Sequence, residues 1–242
     1  KLREAISEKF LSENNLDYKP HQVIVSNGAK HSCFNAILAT VEPGDEVIIP
    51  APYWLSYPEM VKMAGANPVI VQTSDKTEFK ITPQALGAAI TPRTRAILPV
   101  HYAGLAVDMP ALLSMARRRG LKVVEDAAHA LPTTVDGRLV GTLDSDATVF
   151  SFYANKTITT GEGGMLVTRQ ADIAARAKVM RLHGISRDAF DRFSAKVPSW
   201  YYEIVAPGFK YNLTDIAAAL GLHQLKRAHA FAQTRATLAR AY

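Results

Sequence analysis

Short apolar runs alternate with longer amphipathic stretches through the first half of the chain. The apolar runs predict strands at Val23–Val25, Glu46–Ile49, Pro68–Val71, Arg95–Pro99 and Leu121–Glu125. The stretches between them predict short helices at Lys30–Thr40, Trp54–Ala64, Pro83–Ile90 and Met109–Arg119. This alternation predicts an α/β domain whose largely parallel sheet is covered by helices on both faces.

Two more apolar runs follow without a helix between them. Ala147–Phe152 and Met165–Thr168 are expected either to be antiparallel neighbours or to be separated in the sheet by another strand. They bring the predicted sheet to about seven strands. After Thr168 the pattern is helical, at Ile173–Leu182 and again from Thr214.

The segment between these last helices is long for a loop in a compact domain. It runs from His183 to Tyr211 and contains Trp200-Tyr201-Tyr202. Loops of this length tend to be functional or to pack against a partner. Residues 1–11 have the pattern of the middle of a helix, and the last helix is still running at Tyr242. We therefore expect both ends to have been cut from something longer.

The composition is that of one globular domain, residues 1–242, with a substantial core: 48% of the residues are hydrophobic and 21% are charged. The single cysteine, Cys33, cannot form an internal disulfide, which favours a reducing, cytoplasmic setting. No apolar run approaches the roughly 20 residues of a membrane-spanning helix, and no signal peptide opens the chain, so we expect no membrane partner.

The net charge of +6 is compatible with an anionic ligand, but the basic residues are dispersed. The densest run, Arg117-Arg118-Arg119, stands just before Gly120, where cations complement the C-terminus of a helix. We therefore expect no nucleic-acid partner. The seven histidines lack metal-ligand spacing, and the chain has neither a phosphate-binding glycine fingerprint nor a serine elbow.

The candidate chemistry begins with Lys156 and Asp126, which each follow an apolar strand. A lone lysine in a loop is usually a solvated surface charge, and Asp126 alone is equally well explained as a helix N-cap. Together they supply what a pyridoxal 5'-phosphate (PLP) site needs, an amine for a Schiff base and an anion for the pyridinium nitrogen. In an open parallel sheet both would face the carboxyl edge, where ligands bind.

Other residues at strand ends could complete such a site. Gly28 and Ala29 join a strand to a helix, where backbone N–H groups can bind a phosphate, although an ordinary turn explains them equally well. Ser151 could add a hydroxyl to the same phosphate. Trp54 or Tyr53 could stack on the ring, whereas Tyr57 fits core packing better. His129 could contact the ring or its phenolic oxygen, and the segment His101-Tyr102-Ala103-Gly104 could border the substrate.

From about residue 96 the chain resembles the DegT-type (DegT/DnrJ/StrS) sugar aminotransferases, a branch of the fold-type I PLP enzymes. The matching segments, in order, are Pro99–Gly104, Val124–His129, Phe150–Lys156, Gly161–Gly164 and Pro207–Ile216. The resemblance implies the large domain of that fold, with Lys156 bound to PLP, Asp126 on the pyridinium nitrogen, His129 beside the ring and Ser151 on the phosphate. It also implies that Asn212 reaches the neighbouring subunit's site, so that a homodimer is the functional unit.

Residues 1–95, the first portion, resemble class I aspartate aminotransferases instead, through Ile24–Lys30, Glu42–Val47 and Pro52–Glu59. That resemblance implies that Gly28 and Ala29 lie at the phosphate and that Trp54 stacks on the ring. The class I motifs expected later in the chain are absent. We therefore interpret the chain as a hybrid in which residues 96–242, the second portion, are DegT-like, with a join near Thr91 to Ile97 and no small C-terminal domain.

The resemblances imply a PLP-dependent aminotransferase that acts on a nucleotide-linked keto sugar, with glutamate as the amino donor. One alternative is an amino-acid aminotransferase of the aspartate type, as the first portion suggests. A second alternative is a non-catalytic or incomplete hybrid fragment that merely binds the cofactor.

Overall fold

The computed structural model describes residues 1–186 and 202–242. A seven-stranded sheet with the order β1-β9-β8-β5-β4-β2-β3 forms its centre. Its strands are β1 (Val23–Ser26), β2 (Glu46–Ala51), β3 (Asn67–Gln72), β4 (Thr94–Ile97), β5 (Lys122–Asp126), β8 (Ala147–Ser151) and β9 (Gly164–Val167). A separate hairpin pairs β6 (Thr134–Val135) with β7 (Arg138–Leu139). The predicted α/β class and the strand number are confirmed.

The sheet is parallel except at β9. This strand pairs antiparallel with β1 on one side and with β8 on the other, so the first of the two arrangements expected for the last strands is the one observed. All residues of β8 and β9 are buried. Strands covered on both faces are near-continuous apolar runs, which explains why the sequence pattern located them within one or two residues.

Eight α-helices surround the sheet in the described ranges 1–186 and 202–242. They are α1 (Leu2–Asn14), α2 (Ala29–Thr40), α3 (Ser56–Met63), α4 (Pro83–Ala89), α5 (Met109–Arg119), α6 (Ala171–Met180), α7 (Asp215–Leu225) and α8 (Ala228–Ala241). Asp108 caps α5 by accepting from the Ala111 amide, and Gly120 ends the helix with φ +66°. The arginine run therefore occupies a helix C-terminus, as predicted.

Helices cover both faces of the sheet. Residues of α2, α3 and α6 form one buried apolar cluster with the strands, while residues of α4 and α5 contribute to another. A third cluster joins α1 to the strands β1, β8 and β9, and α7 packs against α1. None of the described helices is long and apolar enough to cross a membrane.

Two predictions for the second half need qualification. The helix predicted from Thr214 is divided at Lys226 and Arg227 into α7 and α8. Trp200 and Tyr201, in the predicted long loop, lie outside the described residues. Of that loop the structure shows two antiparallel contacts, between Leu182 and Lys210 and between Ile185 and Ile204.

Candidate active site

The carboxyl ends of the parallel strands meet at one edge of the sheet. Asp126 ends β5 and Ser151 ends the neighbouring β8, while Ser26 ends β1. Gly164 opens the antiparallel β9 between them and pairs with both Ser26 and Ser151. This edge, which we call the carboxyl edge, therefore collects the predicted site residues from distant parts of the sequence.

Asp126 is 7% exposed and its carboxylate accepts several hydrogen bonds. The Ala128 amide donates to Oδ1 at 2.8 Å, and the phenol of Tyr57 donates to Oδ2. The thiol of Cys33 lies 3.8 Å from the same Oδ2. Donors of this kind favour the ionised form of a carboxyl group. The buried carboxylate is thus held in place by a donor at each of its two oxygens.

Lys156 lies in a turn after β8, where its amide donates to the Tyr153 carbonyl at 3.0 Å. Arg235 of α8 fixes this turn by donating to the carbonyls of Asn155 and Lys156 at 3.1 and 3.0 Å. Partial burial lowers the pKa of Lys156, and the charge of Asp126 opposes that shift. The turn that contains Lys156 thus follows β8 at the edge where Asp126 ends the neighbouring parallel strand β5.

His129 belongs to the same charged group. Burial lowers the pKa of His129, the Lys156 ammonium lowers it further, and Asp126 acts in the opposite direction. Its Nδ1 accepts a hydrogen bond from the Ala103 amide at 3.2 Å, which leaves Nε2 as the protonated nitrogen of a neutral ring. The ring of Tyr102 lies beside it, with the two ring centroids 5.7 Å apart.

The start of α2 forms an anion cradle at the carboxyl edge. Gly28 precedes the helix with φ +109° and no side chain caps the first turn. A Cβ at Gly164 would lie 2.4 Å from the Ala29 nitrogen, so the backbones of β9 and α2 touch and Ser151, paired with Gly164, lies next to this turn. First-turn amides and a nearby hydroxyl suit a phosphate. The Nδ1 of His31, on the same turn, is buried without a partner in the described chain.

These features fit PLP. The edge supplies an amine of lowered pKa, a hydrogen-bonded carboxylate and an uncapped helix start in one place. Each matches one chemical group of that cofactor, namely its aldehyde, its pyridine nitrogen and its phosphate. Within residues 1–186 and 202–242 no group of three or more His, Cys, Asp or Glu side chains could hold a metal ion.

Comparison with known proteins agrees with this chemistry. The model of the DegT/DnrJ/EryC1/StrS aminotransferase family matches residues 14–242. The chain belongs to this family. The spore coat polysaccharide biosynthesis protein SpsC of Bacillus subtilis is 44% identical over 225 residues, which are 89% of this chain and 57% of SpsC.

Solved members of the DegT family share the fold. The putative sugar aminotransferase Spr1654 of Streptococcus pneumoniae, in its PMP form, superposes with a TM-score of 0.83 at 30% identity, over 99% of this chain and 64% of that one. Its PLP form gives a TM-score of 0.78 at 30% identity, over 95% of this chain and 59% of the other. The fold is therefore that of the PLP aminotransferases, and the chain spans about three fifths of these relatives.

The remaining predicted residues have different surroundings. Trp54 is 62% exposed, and the ammonium of Lys30 lies 5.9 Å from the centre of its ring, near the start of α2. Asn212 pairs with Ser26 at the end of β1, and its carboxamide oxygen accepts from Lys210. It therefore lies at the carboxyl edge of the sheet of its own subunit. Stacking by Trp54 and the cross-subunit role of Asn212 stay predictions.

The segment His101-Tyr102-Ala103-Gly104 is buried at its first residue, and its place beside the substrate stays a prediction. His101 is fully buried and its Nε2–H donates to the Glu125 carboxylate at 2.8 Å. Its Nδ1 accepts from the Val107 amide at 3.2 Å. The neighbouring Tyr102 is instead 73% exposed. His101 thus supports the strand ends from within the core.

Sequence reasoning missed two residues that contact Asp126. Tyr57 is 2% exposed, which agrees with its predicted core position, yet its phenol bonds the acid. Cys33 was considered in the sequence analysis only for disulfide formation, and its contact with Asp126 was not predicted. A buried tyrosine hydroxyl requires a partner, and that requirement was the available signal for Tyr57.

Proposed function

We propose that this chain is the cofactor-binding part of a PLP-dependent aminotransferase that moves an amino group from glutamate to a nucleotide-linked keto sugar. The observation that carries the proposal is that the buried Asp126 ends β5 while Lys156 lies in the turn that follows the neighbouring strand β8, at the same edge of the sheet. Family membership and the polysaccharide role in the name of SpsC favour a sugar as the acceptor. The proposed functional unit is a cytoplasmic homodimer.

Four groups of this chain would hold the cofactor. Lys156 would bind it covalently through Nζ, and Asp126 would place its carboxylate at the pyridine nitrogen. Gly28 and Ala29 would bind the phosphate through the start of α2, together with the Ser151 hydroxyl. When bound, PLP supplies an electron sink for the negative charge that develops on the reacting carbon.

Lys156 would also be the acid and base of the reaction. Burial lowers the pKa of this amine, so a larger share of it is neutral near neutral pH than of an ordinary lysine. The neutral amine would be both the nucleophile towards the cofactor's aldehyde and the base that removes a proton from the donor's α-carbon. Its Nζ would then act as the acid by holding that proton until it is returned.

His129 would face the ring in its neutral form. Its Nδ1 is engaged by the Ala103 amide, so only Nε2–H is available to donate to the cofactor's phenolic oxygen. The lowered pKa of His129 favours this neutral ring at physiological pH. A cationic imidazole beside Lys156 would instead compete with the ammonium for the charge of Asp126.

The first test is spectral. We expect the purified protein to develop the long-wavelength absorbance of a lysine-bound aldehyde when PLP is added, and Lys156→Ala to lose it. Lys122→Ala is the matched control, because Lys122 pairs with Asp146 at the opposite end of β5. A wild type that stays colourless with excess PLP would contradict the proposal.

The second test separates the substrates. Glutamate should convert the bound cofactor to its amino form, and a UDP- or dTDP-linked 4-keto sugar should reverse that conversion faster than oxaloacetate does. A preference for aspartate and oxaloacetate would favour the class I alternative. Bound cofactor that never converts would indicate a fragment that binds PLP without catalysis.

A further inference from the structure

The strongest unexplained feature of the carboxyl edge is the pair of donors on one oxygen of Asp126. Tyr57, from α3, donates its phenolic hydrogen to Oδ2, and Cys33, from α2, places its sulfur 3.8 Å from the same atom. Tyr57 and Cys33 are each 2% exposed. Both come from the first portion of the chain, whereas Asp126 comes from the second.

The two donors remain protonated across the physiological range. Burial raises the pKa of Tyr57, and the charge of Asp126 raises it further. Burial likewise raises the pKa of Cys33 well above its ordinary value, with Asp126 adding to the shift. A phenol and a thiol that stay neutral next to a carboxylate act as hydrogen-bond donors to it, not as competing anions.

Asp126 therefore faces charged or titratable groups from four directions. They are Tyr57 on α3, Cys33 on α2, His129 in the loop after β5 and Lys156 in the turn after β8. Tyr57 makes the closest of the side-chain contacts to the carboxylate, and its position is fixed by burial. A carboxylate has about four lone-pair sites, so these contacts leave the capacity to accept from a pyridinium nitrogen as well.

We propose that Tyr57 is the positioning residue for Asp126, fixing the orientation of its carboxylate and weakening its hold on a proton. This inference rests on the proposed function, because it concerns where a proton shared with the pyridine nitrogen resides. A carboxylate that already accepts a phenol hydrogen bond is a weaker base, so the shared proton stays on the ring nitrogen. Cys33 contributes the same effect more weakly, because its sulfur is a poor donor.

The decisive variant is Tyr57→Phe, which keeps the ring and removes only the hydroxyl. Tyr18→Phe is the matched control, because Tyr18 is 6% exposed and its hydroxyl donates to the Gly141 carbonyl at 3.3 Å. We expect Tyr57→Phe to weaken PLP binding about tenfold, equivalent to about 1.4 kcal/mol, and Tyr18→Phe to leave it unchanged.

The ¹⁵N NMR shift of the labelled pyridine nitrogen in the PLP-bound protein reports where the shared proton lies. A change in packing alone would not alter it. Across the neutral pH range the wild type should give the shift of a full pyridinium, whereas in Tyr57→Phe the shift should lie closer to that of a neutral pyridine, because the shared proton moves towards the carboxylate; Tyr18→Phe should follow the wild type. Cys33→Ala should give a smaller displacement in the same direction as Tyr57→Phe. Equal profiles for the wild type and Tyr57→Phe would overturn the proposal.

A double-mutant cycle on the cofactor-free protein separates this idea from the proposed function. If Tyr57 acts through Asp126, the unfolding constants of Tyr57→Phe, Asp126→Asn and the double variant should depart from additivity by about tenfold. Additive effects of the two substitutions on the free energy of unfolding would show that Tyr57 does not act through Asp126. A wild type that shows the coupling but binds no PLP would refute the aminotransferase proposal alone, leaving the Tyr57–Asp126 contact established.

Discussion

The two portions of the chain contribute differently to the carboxyl edge. The second portion supplies the groups proposed to carry the chemistry, Asp126, His129 and Lys156, within about 30 residues of sequence. The first portion supplies their surroundings, through the start of α2 and the side chains of Tyr57 and Cys33. Reactive groups can thus be recognised from local motifs, while the environment that tunes them is assembled only by the tertiary fold.

The portions also share one sheet across the predicted join. β4, which contains most of that join, pairs with β2 of the first portion and with β5 of the second. The family model covers both portions from residue 14 onwards. The hybrid interpretation of the sequence therefore remains a hypothesis about ancestry, and the contacts between the portions are what can be tested.

The largest expected effect lies within the second portion. Glu125 is fully buried and accepts from His101, Ser145 and Thr148, so Glu125→Ala should leave the His101 Nε2–H without an acceptor and the two hydroxyls with only each other, at a cost of about 3–5 kcal/mol of unfolding free energy. Urea unfolding measures it. Glu46→Ala in the first portion is the comparison, because its partner Arg93 is 71% exposed and can be solvated. An equal loss of unfolding free energy in Glu46→Ala would contradict the expected difference between the two portions.

The contact between the portions is tested by Gly164→Ala. Its Cβ would lie 2.4 Å from backbone atoms of Gly28 and Ala29, so β9 and α2 would have to separate, at a cost of about 1–3 kcal/mol. Gly87→Ala is the control, because nothing lies within 4 Å of its Cβ and alanine favours α4 by about 0.5–1 kcal/mol. Unchanged thermal stability in Gly164→Ala would indicate that the cradle is looser than described.

Charge coupling within the second portion is tested by Asp126→Asn. The Asp126 charge raises the pKa of Lys156 against the lowering effect of burial, so its removal should lower that pKa further. Because only the neutral amine captures an aldehyde, the rate of PLP capture should reach its half-maximum at a lower pH than in the wild type. Stopped-flow absorbance across pH measures this shift. A shift to higher pH would contradict the arrangement of the two charges.

The smallest effect is expected where α8 supports the turn that contains Lys156. Arg235→Ala removes two bonds to the carbonyls of Asn155 and Lys156, but these groups are exposed and the loss of stability should stay below about 1 kcal/mol. Arg240→Ala, whose guanidinium contacts only Thr237 among the described residues at 3.5 Å, is the control on the same helix. Amide exchange at Lys156 should accelerate in the first variant and not in the second.

Much of the fold was predictable because buried parallel strands are continuous apolar runs. The same topology brought Asp126, Ser151 and Gly28 to one edge, since each follows or ends a parallel strand. Whether β9 would lie beside β8 or be separated from it by another strand could not be predicted, because the connection between Ser151 and Gly164 is long enough to pass over one strand. The break in the last helix at Lys226 could not be predicted either, because neither glycine nor proline stands there.

The surroundings of the site were harder to predict. The Tyr57 hydrogen bond joins residues 69 positions apart, and no local pattern encodes that distance. The burial of His101 could not be predicted from its position at a strand end. In the structure its side chain instead satisfies the buried Glu125, a neighbour of Asp126 in sequence. Adjacent acids on one strand thus have different roles because successive side chains point to opposite faces.

The most direct test of the account is to reduce the PLP-loaded protein with borohydride and locate the added mass by peptide sequencing. We predict one modified residue, Lys156, with Lys30, Lys122 and Lys210 unmodified under the same conditions. Cofactor mass spread over several lysines, or carried by one other than Lys156, would contradict the assignment of this turn and of the charge that faces it.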